Sequence, residues 1–193
     1  MPPPHPTRSR PQAHLANESG AARTPCAARE GFAVNRTVRA YVGLGANLGE
    51  ARAHVEAALL ALDDLPGTRL VARSSLYFSA PIDAQGPDFV NAVAALDTEL
   101  GSGPLLDALQ AIEIAHGRER AGRNAPRTLD LDLLLYGDAV ADTPRLTLPH
   151  PRLHERAFVL IPLLEIAPAV EIPGHGPACD LLPAVAHQAV RPA

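Results

Sequence analysis

From residue 38 to residue 136 the apolar period switches four times between two and 3.6, and that order leaves few ways to fold. Residues 38–44 (VRAYVGL) predict a strand. Residues 50–65 place Val55, Leu59 and Leu62 at helical spacing until Pro66-Gly67 stops the helix. Residues 69–79 and 89–100 predict two strands that pair antiparallel, joined by a loop over 80–88 that holds Pro81, Gly86 and Pro87. A second helix opens at Gly103-Pro104, lines one side with Leu105, Leu106, Leu109, Ile112 and Ile114, and ends near Gly117. Residues 129–136 (LDLDLLLY) predict the fourth strand. The order β-α-β-β-α-β is the ferredoxin-like arrangement, an α+β fold whose two helices cover one face of an antiparallel sheet. A Pro-rich loop over 143–151, a short apolar helix over Ala157–Ile166 and some twenty irregular residues predict a C-terminal extension.

Residues 1–37 lie outside this pattern. Six prolines and no apolar period predict a disordered tail, because such a segment buries too little surface to offset its ordering entropy. Residues 38–193 are then a single domain. The 17 basic residues are all Arg, and the whole chain carries a net charge of −4. No stretch approaches the roughly 20 apolar residues of a membrane helix. Cys26 and Cys179 form neither a zinc pattern nor a disulfide framework. The expectation is a cytoplasmic monomer with no nucleic-acid or membrane partner.

The chemistry concentrates in two places. On a strand, Asp130 and Asp132 project from one face about 7 Å apart while Leu129, Leu131 and Leu133 face the core, so the carboxylates can share hard cations such as Mg²⁺. Just upstream stand Arg118, Arg120, Arg123 and Arg127, planar bidentate donors suited to a polyphosphate. Metal-binding carboxylates joined to an Arg-rich loop suit phosphoryl transfer, in which the protein supplies position and charge neutralisation. Arg145, Thr147, His150 and Arg156 form a second donor group among prolines. Phe89 and Asn91, two apart on a strand, share a face. The spacing Gly43-x-Gly45-x-x-x-Gly49 also resembles a dinucleotide fingerprint, but paired antiparallel strands follow it and not βαβ units.

Gly117-Arg118-Glu119-Arg120, continued by Arg123-Asn124-Ala125-Pro126-Arg127-Thr128-Leu129-Asp130-Leu131-Asp132, resembles the signature of the 6-hydroxymethyl-7,8-dihydropterin pyrophosphokinases. Leu146-Thr147-Leu148-Pro149-His150-Pro151 with Arg156 and Phe158, the opening 43–49 and the stretch 74–91 resemble that family's other blocks in the same order. The resemblance implies transfer of pyrophosphate from ATP to 6-hydroxymethyl-7,8-dihydropterin, in folate biosynthesis. It implies two Mg²⁺ ions on Asp130 and Asp132, with Arg120 and Arg127 joining these aspartates in catalysis. ATP would meet Gln110, Glu113, Arg118, Arg120, Arg123, Arg127, Arg145, Thr147, His150 and Arg156. The pterin would lie between Phe89 and Phe158, hydrogen-bonded by Asn91 and by backbone groups at Ser79, Ala80 and Ile82. The chain departs from the family pattern at Asn124, where members often carry Trp, and at Pro151, where they often carry Tyr.

Overall fold

A computed structural model describes residues 37–81, 86–117 and 128–193. Its centre is β1 (Val38–Ala46), which pairs antiparallel with β4 (Phe89–Thr98) on one side and β5 (Asp130–Tyr136) on the other. β2 (Thr68–Arg73) and β3 (Tyr77–Ser79) both pair antiparallel with the far edge of β4. This is the antiparallel βαββαβ sheet that the sequence predicts, with its first strand in the middle.

Alternation assigns the two faces. Ala40, Val42, Leu44, Val90, Ala92, Ala94, Leu96, Leu131 and Leu133 bury on one side. There they meet α1 (Ala51–Asp63) and α2 (Ser102–Ala115). α1 offers Val55, Ala58, Leu59 and Leu62, a single apolar stripe. α2 offers Leu105, Leu109 and Ile112. Each fully buried leucine contributes about 1.5–3 kcal/mol.

The opposite face is only partly covered. α3 (Ala157–Ile166) packs on it with Val159, Leu160 and Leu163 against Val93, Leu134 and Leu135. Glu165 ties this helix to the strand side, accepting hydrogen bonds from the Ser75 N–H (3.0 Å), the Ser75 hydroxyl (2.8 Å) and the Tyr77 hydroxyl (2.9 Å). The other end of this face holds Asn91, Asp130 and Asp132.

Three segments differ from the sequence reading. Residues 69–79, predicted as one strand, are β2 and β3. The break falls where the Ser74 hydroxyl takes the Val93 N–H (2.9 Å) and Glu165 holds Ser75, so side chains replace the ladder. The loop over 143–151 contains a strand of the hairpin β6 (Ala141–Asp142) and β7 (Thr147–Leu148). The final stretch is also ordered. It forms β8 (Glu171–Ile172), β9 (Gly176–Pro177), α4 (Leu182–Val185) and β10 (Val190–Pro192), and β10 adds an edge strand to β3. Elements of two to four residues carry no period, and Pro192 reads against a strand unless that strand is an edge. The expected tail over 1–37 lies outside the described residues apart from Thr37. Among the described residues no helix is long and apolar enough to cross a membrane.

Candidate active site

Strand register builds a polar row across the open face. Gly45 lies opposite Asp130 on β5 and opposite Asn91 on β4. Gly43 lies opposite Asp132 and Val93. Directly paired residues share a face, so carboxylates stand on one side of β1, an amide on the other, and no side chain between them. A Cβ added to Gly45 would sit 3.5 Å from the Asn91 Oδ1 and 3.9 Å from Phe89. Gly45 thus forms the floor of a trough, while the Leu134 side chain covers Gly43. Sequence reading missed this role, although a glycine inside a strand often marks close approach of a ligand.

On the Asn91 side the geometry is tight. The Asn91 Nδ2 donates to the Ser79 hydroxyl (3.0 Å), the Tyr77 carbonyl (3.3 Å) and the Phe89 carbonyl (3.4 Å). Those bonds turn the amide oxygen toward Gly45. Ser79 and Asn91 are buried, Phe89 is half-buried, and Ala80 is exposed.

On the carboxylate side, the chain after β7 folds back onto β5. The His150 N–H donates to the Leu134 carbonyl (2.9 Å), which sets the imidazole beside Asp132. Its Nδ1 accepts the Arg152 N–H (3.2 Å), so the ring proton of the neutral form sits on Nε2. That Nε2 is 3.7 Å from Asp132 Oδ2, and the Arg156 guanidinium is 3.6 Å from the same oxygen. Burial, reinforced by Arg156 and Arg152, holds His150 below its usual pKa against the opposing pull of Asp132 and Asp130. The imidazole is therefore neutral at pH 7 and offers an N–H. Burial also lowers Arg156, countered chiefly by Asp132; a guanidinium stays cationic regardless. Arg156 further lies 5.5 Å above the Phe158 ring.

A cavity of about 220 Å³ opens beside these groups. Leu106, Leu131, Leu133 and Leu146 give it apolar walls, and Asp132, Arg145, Thr147 and His150 give it polar ones. Arg145 also pairs with Asp107 on α2, and the Thr147 hydroxyl donates to Asp142 (3.5 Å). Pro151, one of the departures from the family pattern, lines the same cavity.

Nine of the sequence-selected residues thus converge along the trough and cavity: Asp130, Asp132, Arg145, Thr147, His150, Arg156, Phe89, Asn91 and Ser79; Phe158 lies beneath Arg156, and Ala80 is exposed beside Ser79. Two behave otherwise. Gln110 is exposed on α2 and does not line the cavity. Glu113 is 2% exposed and accepts the Leu131 N–H (2.8 Å), bracing β5 midway between the two aspartates. Arg118, Arg120, Arg123, Arg127, Asn124 and Ile82 lie outside the described residues.

Among the described residues, no group of three or more His, Cys, Asp and Glu side chains could hold a metal. Two aspartates on one strand face suit Mg²⁺ instead, an ion that keeps waters and completes its octahedron with substrate phosphates. The donor set fits that ion.

The family model for 7,8-dihydro-6-hydroxymethylpterin-pyrophosphokinase (HPPK) matches residues 41–168. The chain belongs to the HPPK family. That HPPK match runs from within β1 through α3 and stops before β8. The 2-amino-4-hydroxy-6-hydroxymethyldihydropteridine pyrophosphokinase of Pseudomonas aeruginosa is 56% identical over 136 residues, 70% of this chain and 84% of its own. The Haemophilus influenzae protein of the same name is 48% identical over 137 residues, 70% of this chain and 86% of its own. The solved wild-type HPPK-DHPS of Plasmodium falciparum shares the fold, with a TM-score of 0.58 at 14% identity. That likeness covers 75% of this chain and 44% of the solved one, so the chain spans less than half of its length.

Proposed function

We propose that this HPPK-family chain transfers pyrophosphate from ATP to 6-hydroxymethyl-7,8-dihydropterin, yielding the pterin diphosphate and AMP, a step of folate biosynthesis. One observation carries the site reading: Asp130 and Asp132 share a face beside the glycine-floored trough, with His150 and Arg156 at the same carboxylate. In this reading a cation site and phosphate donors adjoin the trough that takes the pterin ring.

In this reading Asp130 and Asp132 hold Mg²⁺, two ions by the family resemblance, which when bound neutralise phosphate charge and favour in-line attack. The 220 Å³ cavity takes the adenosine, with Arg145 and Thr147 as polar contacts. Neutral His150 donates its Nε2–H to a phosphate oxygen, and Arg156 adds a fixed positive charge. Arg118, Arg120, Arg123 and Arg127 supply the remaining phosphate donors, with Arg120 and Arg127 stabilising charge that develops during transfer. The pterin lies on Gly45 between Phe89 and Phe158, where a heteroaromatic ring gains from offset stacking. The Asn91 Oδ1 accepts a hydrogen bond from its edge, and Ser79, Ala80 and Ile82 add contacts. The hydroxymethyl oxygen then attacks the β-phosphorus, and the bond to the α-phosphate oxygen breaks with AMP as leaving group. None of these side chains is required as a strong base.

We read the protein as a cytoplasmic monomer whose catalytic domain spans residues 38–193; light scattering of the purified chain tests the monomer. The activity is tested by incubating the protein with ATP, Mg²⁺ and 6-hydroxymethyl-7,8-dihydropterin. Stoichiometric AMP and pterin diphosphate support the assignment. ADP as product would indicate a simple kinase, inorganic pyrophosphate a nucleotidyl transferase, and either would refute it.

A further inference from the structure

Arg156 reaches Asp132 and lies over the Phe158 ring, yet α3 begins at this point without help from its own N-cap. Arg156 occupies the cap position in an extended conformation (φ −123, ψ 109) and makes no side-chain capping bond. The first N–H groups of a helix need outside acceptors, and Ala157 is only 1% exposed, so water does not serve it.

Gln188 meets this need. Its Oε1 accepts the Ala157 N–H (2.9 Å), and its Nε2 donates to the Glu155 carbonyl (2.7 Å). The two bonds grip the backbone on either side of Arg156. The grip is itself anchored: the Gln188 N–H donates to the Val185 carbonyl at the end of α4 (2.9 Å). Two residues later β10 begins, where Val190 pairs with Ser79, and the Ala193 N–H closes onto the Leu76 carbonyl (2.9 Å). Gln188 thus sits on a segment fixed to the same strand that carries Ser79.

We propose that Gln188, twenty residues beyond the end of the family match, is a positioning residue for Arg156 and Phe158. The backbone direction at 156 sets both the 3.6 Å approach of its guanidinium to Asp132 and its placement over the Phe158 ring. Each hydrogen bond restrains the backbone on one side of Arg156, so a side chain that keeps only one holds Arg156 less firmly than Gln188 does.

This inference rests on the proposed ATP and pterin sites. It is tested on the full-length chain with Gln188→Ala, Gln188→Asn and Gln188→Glu, reading KM for both substrates, kcat, Tm and the Kd of Mg-ATP by calorimetry. Gln188→Ala and Gln188→Asn, the latter one methylene too short to span both partners, should raise KM and Kd for ATP about tenfold at temperatures well below Tm. Gln188→Glu keeps the acceptor for Ala157 and loses the donor to Glu155, so its constants should fall between those of wild type and Gln188→Ala. A lowered Tm with wild-type KM and Kd would make Gln188 a structural clamp only and overturn the proposal. Equal losses in all three variants would also overturn it. Should Gln188→Ala not fold, Gln188→Asn and Gln188→Glu carry the same comparison. A wild-type protein that binds Mg-ATP but makes no AMP would sink the activity while the Kd series still decides Gln188. A wild type that binds no Mg-ATP would sink both.

Discussion

Gly45→Ala separates folding from function at a single methyl group. Gly45 lies inside β1 with no positive φ, and the added Cβ would meet only the Asn91 Oδ1 at 3.5 Å and Phe89 at 3.9 Å, ordinary contact distances. Nothing in the fold opposes it. Glycine in a strand interior costs about 0.5–1 kcal/mol relative to alanine through backbone entropy, so the variant should be as stable as wild type or more so. For a domain of this size that gain corresponds to a Tm rise of about 1–4 °C. The same methyl occupies the floor of the trough where the pterin is proposed to lie. A one-carbon misfit in a close pocket is worth about 1–3 kcal/mol, or 10–200-fold in kcat/KM. The loss should fall on the pterin, with KM for ATP unchanged, as read by coupled AMP assay at varied pterin together with a thermal melt. Gly43→Ala is the comparison, since its Cβ would meet the Leu134 side chain at 3.4 Å and not Asn91. Its pterin KM should stay close to that of wild type. Wild-type pterin kinetics in Gly45→Ala, or a collapse of its Tm, would refute the reasoning.

Asp130→Asn and Asp132→Asn keep side-chain size while removing a cation ligand. Each should cut kcat by two or more orders of magnitude and raise the Mg²⁺ requirement, with Tm held or increased; near-normal turnover in both would remove the proposed metal site. Glu113→Ala leaves the buried Leu131 N–H without its acceptor and should cost about 1–3 kcal/mol in denaturant melts, whereas Glu113→Gln, which retains an acceptor oxygen, should recover part of that loss. His116 is held below its usual pKa first by burial and then by His54, whose Nδ1 is 3.4 Å from its own. The native state therefore binds fewer protons here than the unfolded chain, so stability is full above about pH 6.5 and falls as pH drops below it. Melts from pH 7.5 to 5.5 should show that decline, and His54→Gln should make it shallower; an unchanged slope would exclude this pair as its source.

The core elements were legible because their residues repeat. α1 shows Val55, Leu59 and Leu62 at helical spacing, and β5 alternates Asp130 and Asp132 with buried Leu131 and Leu133, so local pattern and tertiary burial agree. The break at Ser74 was not legible, because it depends on a hydroxyl meeting the Val93 N–H nineteen positions away and on Glu165 arriving from α3. For Glu113 the resemblance suggested a nucleotide contact. Its burial against Leu131 appears only once α2 docks on the edge of β5.

Chain chemistry alone determined the order of strands and helices, the common face of Asp130 and Asp132, and the residue types able to grip phosphate. These follow from periodicity and side-chain charge, which are local properties. Tertiary structure decided which glycine floors the trough, which carboxylate His150 and Arg156 share, and that the last dozen residues brace the site through Gln188 and β10. Those facts depend on strand register and on groups far apart in the chain brought within hydrogen-bond reach, and no spacing along the sequence encodes such a distance.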